Sequence, residues 1–264
     1  MDIKIEVVDQ NENVKMSKTI ANRAYLDYLN HYQAGDKIRV TVDEPNQYLI
    51  VQLDESLNPS LVYLHDTVWE YIVPIDEKAR EAYPSNVFLG DKHYLSVRLA
   101  EDNEIYSYQN LALNNHDQKQ DSKAYPHAVA NVETRNDSTF FARNAIDGVL
   151  ANEDHGPYPY QSWGINRQAD ACLRVDFGRL VEIDKVALVL RGDYPHDSYW
   201  TQVTLEFSDG STEIVSLDKK LEPQYVELTP RKIEWVELKN LIKAKDDSPF
   251  PALTQIEVYG QSLR

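Results

Sequence analysis

The sequence predicts an all-β protein made of two β-sandwich domains, and three observations support this prediction. Short apolar runs recur at intervals of about 8–12 residues, and turn-forming residues separate them. Several runs alternate polar and apolar residues, as strands with one buried face do; 3–7 and Lys37–Val42 are examples. A run of ten polar residues, 114–123, divides the chain into two parts of domain size.

We place an N-terminal domain at residues 1–112, a linker at 113–123 and a second domain at 124–264. The linker is too short to act as a long tether, so we expect the two domains to touch. Segment 17–30 fits either a short helix or an extended chain, and 76–82 fits one or two helical turns. Strands are predicted at the following ranges: 3–7, 37–42, 48–53, 60–64, 68–73, 93–99, 104–108, 173–177, 181–190, 203–207, 232–238 and 254–259.

Charge and hydropathy exclude several kinds of partner. The formal net charge of −16 opposes binding to nucleic acid and to anionic membrane surfaces. No apolar run approaches the roughly 18 residues of a membrane span. The 17 tyrosines and 4 tryptophans outnumber the 6 phenylalanines. Because Tyr and Trp combine an apolar body with a polar tip, they suit a ligand such as a sugar.

The single cysteine and the N-terminus limit the cellular context. Cys172 is alone, so the chain has no intrachain disulfide and no cysteine–zinc cluster. It lies in a strand-like run and is interpreted as a packed core residue. The N-terminus lacks the basic start and apolar centre of a secretion signal, which predicts a cytoplasmic protein. A secreted chain without its signal would look the same.

The loop 191–199 concentrates polar and aromatic residues between two strand-like runs. Its turn-forming residues put it at the rim of a sheet, where recognition loops commonly lie. A second interpretation stays open, in which Arg191 pairs with Asp193 or Asp197 and Trp200 begins a core strand.

The second domain resembles discoidin, or coagulation-factor type-C, domains, and most of all family 32 carbohydrate-binding modules. The resemblance covers about 124–260 and implies a galactose-binding-like jelly roll. It also implies a bacterial-type module, because the disulfide that closes the eukaryotic domains is impossible with one cysteine. The matching residues are Ala-Ile-Asp-Gly 145–148, Trp163, Val-Asp-Phe-Gly 175–178, Ile-Asp-Lys-Val 183–186, Ser-Asp-Gly 208–210 and Ile-Glu-Val-Tyr 256–259.

The same resemblance implies a structural calcium ion and a sugar site. The calcium ligands would be Asn144, Asp147, Asn152 and Glu257, of which Asn152 departs from the family's usual Thr or Ser. The alternative is that Asp147 only caps a turn. Aromatic faces, an arginine and an acceptor carboxylate would bind the sugar. The expected sugar-binding residues are His155, Tyr158, Tyr160, Arg191, Asp193, His196 and Trp200.

Three functions are compatible with these residues. The first is a non-catalytic carbohydrate-binding protein, and we favour it. The second is a glycan-active enzyme whose acids and bases would be Asp154, Asp193, His196 and Asp197. The chain lacks a nucleophile elbow, a phosphate loop and a metalloprotease motif, which argues against that alternative. The third is an assembly module that contacts a protein partner or a second copy of itself.

Overall fold

The computed structural model describes residues 1–264 and contains two separate cores. A cluster of 25 buried residues forms the N-terminal core, and one of 30 forms the C-terminal core. The all-β prediction is confirmed, since the two α-helices are only 4 and 5 residues long. None of the helices has the length and apolar composition that crossing a bilayer requires.

Two antiparallel sheets pack face to face in the N-terminal domain. The first has the strand order β2-β1-β4-β7 and the second β10-β6-β5-β8-β3. In chain order the elements are β1 (Asp2–Val8), β2 (Val14–Ala21), β3 (Arg23–Tyr28), β4 (Lys37–Val42), β5 (Gln47–Gln52), β6 (Ser60–Leu64), β7 (Val68–Ile72), α1 (Glu77–Arg80), β8 (His93–Leu99), α2 (Asp102–Tyr106), β9 (Gln109–Asn110) and β10 (Ala124–Tyr125).

Local sequence explains most of these elements. Buried and exposed residues alternate along β3, which buries Ala24, Leu26 and Tyr28. Of the two structures compatible with segment 17–30, a short helix or an extended chain, the extended chain is therefore the one present. The predicted turns at 76–82 appear as α1, where Asp76 accepts from the first backbone N–H groups. The strand predicted at 104–108 is wrong, because Glu101 and Glu104 form a capping box that begins α2 there.

The C-terminal domain has one antiparallel sheet that wraps around its core. The strand order is β12-β17-β13-β16-β14-β15, with β11 paired to β13. Three short 3-10 turns at 134–136, 138–140 and 142–146 precede it. Its strands are β11 (His127–Ala130), β12 (Trp163–Gly164), β13 (Leu173–Leu190), β14 (Trp200–Phe207), β15 (Thr212–Ser216), β16 (Gln224–Lys243) and β17 (Ala252–Ser262).

Strand β13 bends at Gly178, and this bend lets the sheet curve into a jelly roll. Its pairing with β16 shifts register between Asp176 and Val181. Gly178 has φ of +64°, and a Cβ atom there would lie 2.2 Å from the ring of Tyr125. Only glycine satisfies both the backbone and this close approach. The antiparallel β architecture predicted for the second domain is confirmed.

The two domains exchange short segments at their boundary. Strand β9, from the N-terminal side, pairs with Tyr259 and Gly260 of β17. Leu111 also belongs to the C-terminal core. In return, β10 pairs with β6, and Ala124 belongs to the N-terminal core. The divisions expected at 112 and 124 thus lie inside segments that each domain contributes to the other.

The polar run expected as the linker is buried over its first part, residues 114–117, whereas 119–121 and 123 are exposed. The side chain of Asn114 donates to the Pro126 carbonyl at 2.9 Å. His116 accepts from the Leu53 N–H at 3.1 Å, and burial lowers the pKa of its imidazole to about 3. Asp117 lies 2.7 Å from the ring of His127. These side chains satisfy backbone groups that would otherwise be buried without partners.

Candidate functional site

A hollow of about 210 Å³ opens at the loop end of the C-terminal domain. It lies where the loop after β13, the segment before β17, the turn before β13 and the first 3-10 turn meet. The fold holds these segments together because β13 and β17 are neighbouring strands. The lining residues are Thr134, Arg135, Phe140, His155, Gly164, Ile165, Asn166, Arg167, Arg191, His196, Phe250, Pro251 and Ala252.

Arg191 and Asp193 form a buried ion pair at the base of the hollow. Arg191 follows the last residue of β13, and its Nε lies 2.6 Å from Asp193 Oδ1. Both side chains are at most 5% exposed. The guanidinium also donates to the carbonyl groups of His196 and Phe250. Burial lowers the pKa of Arg191, whereas the Asp193 carboxylate opposes that change. Arg191 stays charged and is fixed in one orientation.

Two histidines share the other oxygen of Asp193. His155 Nδ1 lies 2.5 Å and His196 Nδ1 3.3 Å from Asp193 Oδ2. The two rings meet edge to face, with centroids 4.6 Å apart. Each side chain remains 38% exposed. Because Nδ1 of each ring is turned toward Asp193, the Nε2 atoms are left for a ligand.

The same three side chains have the donor types of a metal site. Their ligand atoms all lie within 4.8 Å of one another. However, the Arg191 guanidinium already neutralises Asp193 and would repel a second cation. This arrangement suits hydroxyl groups or anions better than a metal ion.

The structure brings together four of the seven expected sugar-binding residues: His155, Arg191, Asp193 and His196. Tyr158 and Tyr160 are not among the residues that line the hollow. The Tyr158 N–H donates to the Glu81 carbonyl at 2.7 Å, which turns this segment toward the N-terminal domain. Trp200 is 1% exposed and packs near Trp163 in the core. Its face is therefore not available to a ligand.

Sequence reasoning missed several residues of the hollow, namely Arg135, Phe140, Arg167 and Phe250. The Phe250 ring lies 6.3 Å from the His196 ring. The Arg167 guanidinium lies 4.5 Å above the centre of the Phe250 ring. No local motif marks these residues. The nearest signals are the Asn-Arg turn at 166–167 and the Phe-Pro pair just before the last strand.

Both carboxylate oxygens of Asp147 already accept hydrogen bonds from protein groups. Asp147 Oδ1 accepts from the Val149 N–H at 2.9 Å and from Gln255 Nε2 at 2.8 Å. Asp147 Oδ2 accepts from Gln161 Nε2 at 2.6 Å. Gln255 Nε2 also donates to the Asn144 carbonyl at 2.6 Å. The Gln255 amide nitrogen therefore lies between Asp147 Oδ1 and the Asn144 carbonyl oxygen, the two oxygens that a calcium ion would need.

The other expected calcium ligands are engaged elsewhere. The Asn152 amide donates to the carbonyl groups of Leu190 and Leu221. The Glu257 carboxylate accepts from the Tyr259 hydroxyl at 3.0 Å, whereas Gln255 reaches Asp147. These side chains form hydrogen bonds within the protein, and calcium binding at this turn stays a prediction. Burial raises the pKa of Asp147 to about 6, and the Arg143 charge opposes that rise.

The sequence matches no protein-family model, and no curated protein matches it. Solved structures do resemble its C-terminal half. They include chitosan-binding module 1 of a Paenibacillus sp. IK-5 chitosanase/glucanase, with 20% identity, a TM-score of 0.36, and coverage of 57% of this chain and 98% of that chain. The family 32 module of NanJ from C. perfringens, in complex with galactose, has 18% identity, a TM-score of 0.39, and coverage of 50% and 91%.

A fucose-binding module from Streptococcus pneumoniae gives similar values, with 17% identity, a TM-score of 0.39, and coverage of 58% and 98%. The predicted resemblance to family 32 and related modules is confirmed as a likeness of fold. At these identities and TM-scores it carries no conclusion about the ligand of this chain.

Proposed function

We propose that residues 124–264 bind carbohydrate without catalysis, in the hollow at the loop end of the sandwich. The observation that carries this proposal is the convergence of His155, Arg191 and His196 beside Phe250. Polar groups that converge next to an aromatic face on a rigid scaffold are typical of small-ligand sites.

The chemistry of the hollow matches a sugar ring. The histidine Nε2 atoms and the Arg191 guanidinium can exchange hydrogen bonds with hydroxyl groups. Phe250 is 38% exposed and offers its ring to the C–H face of a pyranose. The Arg191–Asp193 pair holds the donors in place before binding, which reduces the entropy lost on association.

A catalytic role is less consistent with the carboxylates. Glycoside cleavage needs two carboxyl groups that face the substrate. Asp193 is buried against Arg191, and Asp197 is paired with Lys219 at 2.6 Å. Asp154 is 63% exposed and has no second free carboxylate opposite it in the hollow. The proposal is therefore for binding alone.

Calorimetric titration with a panel of mono- and oligosaccharides tests this proposal. His196→Ala removes one donor without burying a charge, and we expect its affinity to fall at least about tenfold, which is about 1.4 kcal/mol. Tyr194→Ala is the matched control, since Tyr194 lies in the same loop, is 88% exposed and does not line the hollow. Equal affinities of His196→Ala and the unchanged protein would contradict the proposal.

A further inference from the structure

Basic side chains line the hollow, although the chain as a whole is strongly acidic. Three arginines and two histidines line it: Arg135, Arg167, Arg191, His155 and His196. No Asp or Glu is among the lining residues. The formal net charge of the whole chain is −16. A cluster of cations on such a protein is a local feature that overall composition does not explain.

The cations differ in how far protein groups already neutralise them. Arg191 is paired with Asp193 at the base. Arg167 is exposed and forms no ion pair, and its guanidinium lies over the Phe250 ring. Arg135 is 68% exposed, and its partner Asp137 is 3.6 Å away. An exposed pair at that distance contributes little. Arg167 and Arg135 therefore remain available at the rim.

The two rim arginines are held close to the same opening. The Asn166 N–H donates to Thr134 Oγ1 at 2.9 Å, which ties the turn of Arg167 to the turn of Arg135. Both arginines have positive φ, 53° at Arg135 and 60° at Arg167. The left-handed backbone conformation of these two arginines fixes the direction in which each side chain leaves the main chain beside the hollow.

We propose that the hollow selects acidic sugars, whose carboxylate lies between Arg135 and Arg167 while the ring contacts Phe250 and the histidines. This inference rests on the proposed carbohydrate-binding function and names its ligand class. Guanidinium groups present parallel N–H donors that match a carboxylate. Asp154, 3.7 Å from His155 Nδ1, is an exposed acidic group next to the site and does not line the hollow.

The test compares uronic acids and sialic acid with their own methyl esters, by calorimetry on the full chain at neutral pH. Each ester keeps the ring and removes only the charge. We expect every acid that binds to do so at least tenfold more tightly than its ester. We also expect the affinity for the acid to fall as salt rises, because the rim arginines are exposed.

Two variants assign the effect to particular residues. Arg167→Gln should weaken binding of the acid about tenfold and bring the ratio of acid to ester affinity toward one. Arg23→Gln removes the same charge at an exposed position of β3 in the N-terminal domain, and should leave the ratio of acid to ester affinity unchanged. An unchanged ratio in Arg167→Gln, with preserved folding by circular dichroism, would overturn the assignment.

The outcomes separate this inference from the proposed function. Esters or neutral sugars that bind as tightly as the acids would overturn the inference and leave carbohydrate binding intact. Acetate that binds as tightly as a uronate would also overturn it, since the site would then recognise an anion without a ring. If no sugar in the panel binds, charged or neutral, both proposals are wrong.

Discussion

Two buried aspartates of the C-terminal domain have opposite surroundings. Asp147 is held by neutral donors, the amides of Gln161 and Gln255 and the Val149 N–H. Asp193 is held by the Arg191 guanidinium and by two imidazoles. The first aspartate is 3% exposed and the second 5%, so depth of burial does not distinguish them.

The difference between them is whether their partners also face solvent. The groups that donate to Asp147, namely the Gln161 and Gln255 amides and the Val149 N–H, all form their hydrogen bonds inside the protein. The turn is therefore closed to a ligand. The partners of Asp193 line a hollow and keep further donors free. The proposed site thus differs from the Asp147 turn in having two half-exposed partners, His155 and His196, beside the buried Arg191.

Among the variants that test the difference between Asp147 and Asp193, Arg191→Met should have the largest effect on the free energy of unfolding. It leaves the Asp193 charge buried without its guanidinium, and we expect the free energy of unfolding to fall by about 3–5 kcal/mol in chemical denaturation. Adding Asp193→Asn to the same chain should restore part of that loss, because it removes the unpaired charge. A single-variant loss below about 1 kcal/mol would show that the pair is not a buried charge pair.

The second prediction concerns the pH dependence that Asp147 confers. Its pKa is about 6 in the folded protein, against 3.8 for an ordinary aspartate, so the folded state binds the proton more tightly. The stabilising contribution is full below about pH 4 and is lost as pH rises through about 6, a change of about 3 kcal/mol.

Asp147→Asn removes this titration, and we expect the variant to gain stability relative to the unchanged protein between pH 4 and pH 7. Denaturation at a series of pH values measures the difference. His116, with its pKa lowered to about 3, acts in the opposite sense, because its contribution is lost as pH falls below about 6.5. It is present in both proteins, so it cancels. A difference independent of pH would contradict the prediction.

Gln255→Glu gives the smallest effect and tests the calcium expectation. The new carboxylate would face Asp147 Oδ1 and the Asn144 carbonyl, where Gln255 now donates. We expect a loss of about 2 kcal/mol, part of which added calcium should restore in the variant. The unchanged protein should melt at the same temperature with calcium or with chelator. A lower melting temperature in chelator would instead support a bound ion.

The strands of this protein could be predicted from the sequence because the alternation of apolar and polar residues with a period of two is a local property. Strand β4 buries every second residue, Ile38, Val40 and Val42, as its sequence indicates. Turns with strong side-chain chemistry, such as the Asp76 cap of α1, were accessible for the same reason. The strand expected at 104–108 failed because a capping box outweighed its β-forming residues.

Only some residues of the proposed site could be predicted from the sequence. His155, Arg191, Asp193 and His196 lie in two loops rich in polar and aromatic residues, which was enough to name them as candidates. Arg167 and Phe250 join them through pairing of distant strands, and no motif marks either residue. Tyr158 was equally plausible by composition, but a backbone bond to Glu81 turns its segment toward the other domain.

The sequence by itself determined the all-β class, most of the strand positions and the polar loop that carries Arg191, because these follow from residue type and short-range spacing. The tertiary structure decided which domain each boundary segment joins, which donor reaches Asp147, and which cations share one hollow. Those outcomes depend on contacts between residues far apart in the chain. Burial then forces each polar group to find a partner there.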